Sequence, residues 1–299
     1  MGDGTKNGAE GPVITQAMIK AYDDYTHLTL DRRGFMQKLT VLSGSAASAA
    51  AIAPLLAASG ARAALVAPDD TRLKTETVTY PGEGGTMSGY LARPAEATGR
   101  LPAVIVIHEN RGLNAHIRDV ARRMALEGFV ALAPDFLSPD GGTPENEDEA
   151  RTKIGALDPA RTVGNAKATI AFLAGYAQAN GKVGAVGFCW GGGLVNRLAV
   201  AAPDLGAGVA YYGAQPPADQ VPAIKAPLLL HYAGLDERIN AGIEDYRAAL
   251  TKAGKTFTIE IYDGVNHAFN NDTSAARYDK PAADLAWSRT VAFFKNYLG

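Results

Sequence analysis

One short segment, residues 182–193, constrains the fold more than any other part of the chain. It begins with an apolar strand, continues as Gly187-Phe188-Cys189-Trp190-Gly191, and ends in a stretch with helical spacing. A strand, a sharp turn and a helix around a central nucleophile form a nucleophile elbow, with Cys189 in the place that serine takes in serine hydrolases. The backbone folds so tightly there that side chains at 187 and 191 would collide with their neighbours. The segment therefore predicts a cysteine at the edge of a sheet.

This segment alone leaves two interpretations of Cys189 open. A thiol above the start of a helix is favoured as the thiolate, which is the reactive form. Alternatively, Cys189 is a small buried residue before a glycine-rich helix, since free cysteine is among the most buried residue types. Residues further along the chain favour the first interpretation.

The composition is that of a globular protein with no attraction to polyanions. The chain has 299 residues, a formal net charge of −2, 47% hydrophobic and 20% charged residues, so neither nucleic acid nor a membrane surface is an expected partner. Its single cysteine cannot form an intrachain disulfide, and the sequence shows no Cys/His cluster with metal-ligand spacing. We therefore expect no structural zinc.

Residues 1–63 differ in composition from residues 64–299, which we expect to form one domain. Arg32 and Arg33 are a twin arginine followed by Gly-Phe, and an alanine-rich, uncharged run covers residues 39–60. Residues 61–63, Ala-Arg-Ala, have the small-x-small pattern of a cleavage site. Together they predict a twin-arginine export signal, a transient contact with export machinery, and a periplasmic or secreted location.

A retained helical arm is the alternative interpretation of these residues. About thirty residues precede the arginine pair and include Asp23, Asp24 and Asp31, which makes an unusually long and acidic region for an export signal. A helix over residues 14–25, followed by a second, alanine-rich helix, could instead dock on the body or on another subunit.

The remainder of the chain alternates strands and helices. Residues 74–80 and 87–92 flank a glycine-rich turn and predict a hairpin. Further strands are predicted at 103–107, 129–133, 182–186, 206–212, 227–233 and 256–262, helices at 115–127, 159–178, 190–202, 239–253 and 281–298, and a polar surface loop at 138–148. This alternation predicts an α/β protein with a mostly parallel central sheet and helices on both faces. With the leading hairpin, the count matches an α/β-hydrolase fold.

Three residues with reactive side chains each follow one of these strands, and their order along the chain indicates a function. Cys189 comes first, Asp236 follows the strand at 227–233, and His267 follows the last strand, which is the nucleophile, acid, histidine order of α/β hydrolases. His267 can act as the base, while Asp236 would hold the imidazole in the productive tautomer. Taken singly, Asp236 could cap a helix and His267 could be an ordinary loop histidine; jointly they favour a triad. The weaker candidates are His27, His108, His116 and His231.

The same sheet edge would supply an oxyanion hole. One donor is expected to be the backbone N–H of Trp190, which follows the nucleophile. The other is expected from the loop after the strand at 103–107, at Asn110.

At this point the chain resembles the dienelactone hydrolase family, also called carboxymethylenebutenolidases. The resemblance lies in residues 108–114 (His-Glu-Asn-Arg-Gly-Leu-Asn), 131–135, 184–192, 210–213 and 264–269. It implies hydrolysis of a small ester or lactone, without a cofactor, by a triad of Cys189, Asp236 and His267. It also implies that Glu109 contacts the cysteine and takes part in its activation. The alternative for Glu109 is a surface glutamate paired with Arg111 or Arg118.

One position departs from the family pattern. Dienelactone hydrolases carry an arginine four residues after the catalytic histidine, where it clamps the substrate carboxylate, and here that position is Asn271. An amide cannot supply a charged fork, although Arg111, Arg161 or Arg277 could substitute for it. Three functions stay open: cleavage of an anionic lactone, cleavage of a neutral ester, thioester or amide, and binding without catalysis on the same fold.

Overall fold

The computed structural model describes residues 12–27, 29–57 and 64–299. The chain divides into two compact units. The helical unit comprises Met1–Ser59 and Thr273–Arg277, and the sheet unit comprises Gly60–Asp272 and Tyr278–Gly299. The predicted cleavage site at residues 61–63 lies outside the described residues.

The described residues of the helical unit form three capped helices. They are α1 (Gln16–Thr26), α2 (Arg32–Ser43) and α3 (Ala46–Leu56). Each helix begins at an N-cap residue whose side chain accepts a backbone N–H of the first turn. The N-cap residues are Thr15, Asp31 and Ser45. The described part of the alanine-rich run is split because Gly44, with φ of 80°, ends α2. The helices share a buried apolar cluster of Met18, Ala21, Tyr22, Phe35, Leu39, Ala49, Ile52 and Leu56.

Hydropathy gives one further property of these helices. Among the described residues, none of the helices is by itself long and apolar enough to cross a membrane. Helices α2 and α3, which are bent by 113° at their junction, have the length and apolar composition of a membrane span only when taken together. A signal sequence near an N-terminus has the same length and composition.

The sheet unit is built on eight strands in the order β1-β2-β4-β3-β5-β6-β7-β8. Their bounds are β1 Leu73–Gly82, β2 Gly85–Pro94, β3 Leu101–Ile107, β4 Val130–Asp135, β5 Ala179–Phe188, β6 Ala207–Tyr211, β7 Leu228–Ala233 and β8 Phe257–Tyr262. β1 and β2 form the predicted hairpin, and β2 also runs antiparallel to β4. All other neighbours are parallel. The predicted mostly parallel sheet is confirmed.

Helices cover both faces of this sheet. They are α4 Ala115–Leu126, α5 Glu147–Gly155, α6 Pro159–Ala174, α7 Trp190–Ala201, α8 Glu237–Asn240, α9 Ile243–Lys252 and α10 Lys280–Leu298. Alternate residues of β3 point to opposite sides: Ile105 lies in a core with α6, α7 and α9, whereas Val104 lies in a core with α4 and α10. The strand ends are thereby held between two apolar layers.

Three predicted elements differ from the structure. The helix predicted at 159–178 ends four residues earlier, at Ala174. The predicted loop at 138–148 contains a short 3₁₀ turn at Ser138–Asp140, and α5 begins at its end because Asn146 caps a first turn rich in acidic residues. The predicted helix at 239–253 is two helices, α8 and α9. The chain breaks at Gly242, where an added Cβ would meet the side chain of Gln215.

Candidate active site

Cys189 lies in a sharp turn between β5 and α7. Its φ of 54° and ψ of −112° are rare for a residue other than glycine. A Cβ at Gly187 would overlap the backbone of Gly191, and a Cβ at Gly191 would meet the carbonyl oxygens of Ile107 and His108. The predicted turn and its glycine requirement are therefore present, and the turn lies directly against the end of β3.

Asp236 and His267 are brought together from the loops after β7 and β8. Nδ1 of His267 lies 2.5 Å from Oδ2 of Asp236, and both side chains are buried. The other carboxylate oxygen accepts the Ile239 N–H at 3.2 Å and caps α8. Asp236 thus serves as a helix cap and as the partner of the histidine at once, so the two interpretations of this residue do not compete.

The electrostatics of this pair favour an ionised carboxylate. Burial acts to raise the pKa of Asp236, but the His267 imidazole and the N–H of Ile239 outweigh it and hold the pKa below its ordinary value. The sulfur of Cys189 and a ring nitrogen of His267 lie within 4.8 Å of each other. The ring of Tyr212 packs against the His267 ring, with centroids 4.8 Å apart. The backbone of Tyr212 has a φ of 40°. Thiol, imidazole and carboxylate therefore follow one another in space.

The two predicted oxyanion donors follow neighbouring strands. Asn110 follows β3 and Trp190 follows β5, and these strands are paired in parallel up to Ile107 and Gly187. The indole of Trp190 stacks on the ring of His108, with centroids 5.2 Å apart and planes 8° apart. The loop after β3 and the start of α7 are thus in contact next to Cys189.

Glu109 is buried, so the alternative of a surface glutamate is wrong. Its carboxylate Oε2 accepts a hydrogen bond of 2.7 Å from Nδ2 of Asn271, and the two residues are 6% and 1% exposed. The residue in the position of the family's arginine thus holds the glutamate at the end of β3.

The arginines considered as substitutes have different surroundings. The Arg111 guanidinium is buried, and its Nη1 lies 3.4 Å from Oε2 of Glu147 on α5. Arg161 pairs with Asp140. Arg277 belongs to the helical unit, where its guanidinium lies 5.0 Å from the ring of Tyr22.

Sequence reasoning missed a further histidine–carboxylate pair in the sheet unit. Nδ1 of His116, on α4, lies 2.9 Å from Oδ1 of Asp272, the residue after Asn271. Burial acts to raise the pKa of Asp272, but His116 lowers it below the ordinary value. The pair joins α4 to the segment that carries Asn271. A histidine in the first turn of α4 was the visible signal, but its partner is distant in the chain.

His231 lies inside the sheet, away from these loops. Its ring nitrogens lie 3.1 Å from the Thr290 hydroxyl and 2.9 Å from the Tyr262 hydroxyl. Burial, together with the charge of Arg289, lowers the pKa of His231 to about 3. This histidine is neutral near pH 7 and belongs to the core.

Known proteins are similar to this chain in sequence and in fold. Residues 87–298 match the dienelactone hydrolase family. A relative from Escherichia coli named "Putative carboxymethylenebutenolidase" is 33% identical over 258 residues, which cover 81% of this chain and 94% of the relative. One of the same name from Methylorubrum extorquens is 33% identical over 286 residues, covering 90% of this chain and 94% of the relative.

A solved structure agrees with these matches. A "putative dienelactone hydrolase" from Klebsiella pneumoniae superposes with a TM-score of 0.68 at 30% identity, over 75% of this chain and 99% of that one. The family match spans more than half of the chain, and the strand order carries the elbow, acid and histidine loops on one edge. The chain therefore belongs to the dienelactone hydrolase family, and it is an ester or lactone hydrolase with an α/β-hydrolase fold.

Proposed function

We propose that the chain cleaves a small ester or lactone by acyl transfer to Cys189, with His267 as the base and Asp236 as its orienting acid. The observation that carries this proposal is the 2.5 Å contact between Nδ1 of His267 and Asp236, with a ring nitrogen of the same imidazole within 4.8 Å of the sulfur. An imidazole held on one side by a carboxylate can exchange a proton on its other side.

In the first half of the reaction, the thiolate of Cys189 attacks the carbonyl carbon of the substrate. A carbon–sulfur bond forms, and the carbonyl electrons move to oxygen, where the N–H groups of Trp190 and Asn110 receive the oxyanion. When the intermediate collapses, the carbon–oxygen bond breaks. His267 delivers the former thiol proton to the alkoxide, which leaves as an alcohol from an ester or remains as a hydroxyl group on the ring-opened acyl chain from a lactone.

In the second half, water hydrolyses the thioester. His267 removes a proton as the water oxygen attacks, and the same two N–H groups bind the second oxyanion. Collapse breaks the carbon–sulfur bond, releases the acid and restores the thiolate beside the protonated imidazole. Asp236 supports the positive ring in both halves, in keeping with its lowered pKa.

A neutral ester, thioester or amide is the second candidate substrate, and Asn271 favours a neutral one. Asn271 is uncharged and already donates to Glu109 at 2.7 Å, whereas recognition of a planar carboxylate normally uses a bidentate arginine. A lactone with a free carboxylate and its methyl ester form a matched substrate pair. We expect the methyl ester to have the higher kcat/KM, and N271R to shift that ratio toward the acid by about tenfold, or about 1.4 kcal/mol.

The nucleophile is tested through the single cysteine of the chain. We expect one equivalent of iodoacetamide to label Cys189 and abolish turnover of an activated aryl ester. Cys189→Ala should be inactive with nearly unchanged Tm. Retained turnover in Cys189→Ala would refute the assignment. A thiol that resists alkylation across the pH range would instead favour a binding protein.

For residues 1–63 we propose a twin-arginine export signal and a periplasmic or secreted location. The arginine pair and the uncharged, alanine-rich run that follows it support this proposal. The shared apolar cluster of α1, α2 and α3 supports the alternative of a retained arm. N-terminal sequencing of the protein from its native cells separates them: a chain starting near Ala64 supports export, and one starting at Met1 or Gly2 contradicts it.

A further inference from the structure

His108 is a fully buried histidine for which the proposed mechanism has no role. It lies at the end of β3, immediately before Glu109 and Asn110. Its ring stacks on Trp190 and meets the ring of Phe136 edge-on, with centroids 5.6 Å apart. It therefore stands between the two loops that carry the proposed oxyanion donors.

The hydrogen bonds of the His108 ring define its tautomer. Nδ1 lies 2.6 Å from the carbonyl oxygen of Glu109, which can only accept, so Nδ1 carries the proton. Nε2 accepts the backbone N–H of Phe136 at 3.4 Å, so Nε2 carries none. Burial lowers the pKa of His108, which agrees with a neutral ring. Both nitrogens are thus used by backbone groups.

The carbonyl that His108 holds belongs to the same peptide group as the proposed oxyanion donor. The Glu109 C=O and the Asn110 N–H share one planar unit, and this peptide bond is trans. In a trans peptide the C=O and N–H point to opposite sides. A donor on the carbonyl therefore fixes where the N–H points, and rotation of the peptide would break the bond to Nδ1.

The stacked indole couples this peptide to the elbow. Trp190 supplies the other proposed donor through its own backbone N–H, and its side chain lies flat on His108. Gly191 approaches so closely that a Cβ there would meet the carbonyl oxygen of His108. One imidazole thus contacts both strand ends from which the two donors emerge.

We propose that His108 is a positioning residue that presets the oxyanion hole by holding the Glu109–Asn110 peptide in the orientation in which its N–H can receive the oxyanion. This inference rests on the proposed function, since it presumes attack by Cys189 on a carbonyl. His108 does not touch the substrate. Its effect is on the transition state, because a donor that is already oriented needs no reorganisation when charge develops.

Two variants separate the hydrogen bond from the stacking. His108→Phe keeps a ring against Trp190 but cannot donate, whereas His108→Gln loses the ring and keeps an N–H donor. We expect His108→Phe to lower kcat for an aryl ester by about 100- to 1,000-fold, the usual effect of losing one oxyanion donor, with KM changed less than about threefold. His108→Gln should recover most of this loss.

The rate of Cys189 alkylation by iodoacetamide provides a second readout. If His108 only kept the site folded, His108→Phe would lower this rate together with ester turnover. Displacement of iodide creates no oxyanion, so His108→Phe should alkylate Cys189 at close to the wild-type rate while its ester turnover falls. His231→Gln, a change at another fully buried histidine, is the matched control and should retain its kcat.

The outcomes are distinct. Unchanged kcat in a folded His108→Phe overturns the inference, and so does a parallel loss of turnover, alkylation and Tm, or a failure of His108→Gln to recover activity. If His108→Phe does not fold, His108→Gln decides: a kcat near wild type supports the role of the donor, and a kcat as low as expected for His108→Phe contradicts it. Failure of the proposed function appears separately, as turnover retained by Cys189→Ala.

Discussion

Strands β7 and β8 lead to two histidine sites, one inside the sheet and one beyond the strand ends. The two sites differ in chemistry. Inside the sheet, His231 of β7 contacts the hydroxyl of Tyr262, the last residue of β8. Beyond the strand ends, Asp236 contacts His267. Both imidazoles are buried, but His231 meets hydroxyl groups and His267 meets a carboxylate. The difference teaches that the partner, more than burial, decides whether an imidazole can carry a proton during a reaction.

The largest expected effect is that replacing His267 removes activity, whereas replacing His231 lowers stability. His267→Ala should lower kcat/KM about ten-thousand-fold, since the base of the proposed triad is lost, with little change in Tm. His231→Gln should do the opposite, costing about 2 kcal/mol of unfolding free energy through its disturbed hydrogen bonds at nearly constant kcat. Ester kinetics and urea unfolding of both variants measure this. A comparable loss of kcat in both would end the distinction.

The next effect isolates the carboxylate of Asp236. Asp236→Asn should lower kcat by about a thousandfold, because an amide does not support the imidazolium or its tautomer. Asparagine is also a good N-cap, so the cap of α8 should survive. Asp236→Ala should show the same kinetic loss and a further loss of about 1 kcal/mol in unfolding free energy. Equal stability of the two variants would show that the cap contributes nothing.

The third prediction concerns stability against pH. The pKa of His231 is about 3 in the folded protein and about 6.5 when unfolded. Below pH 6.5 the unfolded chain therefore binds a proton that the folded chain does not. His231 should lower the unfolding free energy by up to about 1.4 kcal/mol per pH unit as the pH falls toward 5, with no effect above pH 7.

Urea unfolding of wild type and His231→Gln at several pH values measures this slope. The variant should be less sensitive to acid between pH 6.5 and 5, because the other titrating groups are common to both proteins. Identical slopes would mean that His231 takes up its proton in the folded state.

The smallest effect is expected from Tyr262→Phe. The change removes the hydroxyl that contacts His231 at 2.9 Å and accepts from Arg289 at 3.2 Å. We expect a loss of about 1 kcal/mol in stability and a kcat within twofold of wild type. Should kcat fall as it does for Asp236→Asn, the interior network would be coupled to the chemistry and the two sites would not be separate.

Local patterns predicted much of this molecule. The hairpin, the parallel strands and the turn at Cys189 follow from β-branched runs and glycines that act over a few residues. The order of Asp236 and His267 after successive strands was sufficient to expect their meeting. The start of α5 was missed because a polar, acidic run is equally typical of a surface loop and of a capped first turn.

Contacts between distant parts of the chain could not be predicted. Glu109 and Asn271 are separated by 162 positions, and no periodicity links them. The contact between Glu109 and Asn271 depends on how the loops after β3 and β8 converge, which is a property of the assembled sheet.

The hydrogen bond from His108 to the Glu109 carbonyl is local, but a ring that donates to the backbone has no sequence signature.

The double use of Asp236 has a consequence for how the enzyme can be monitored. The amide proton of Ile239 is bound to the same carboxylate that contacts His267, so rotation of the Asp236 side chain would break both contacts. The hydrogen-exchange rate of that single amide should therefore report whether the Asp236 carboxylate is in the orientation in which it contacts His267, without any substrate.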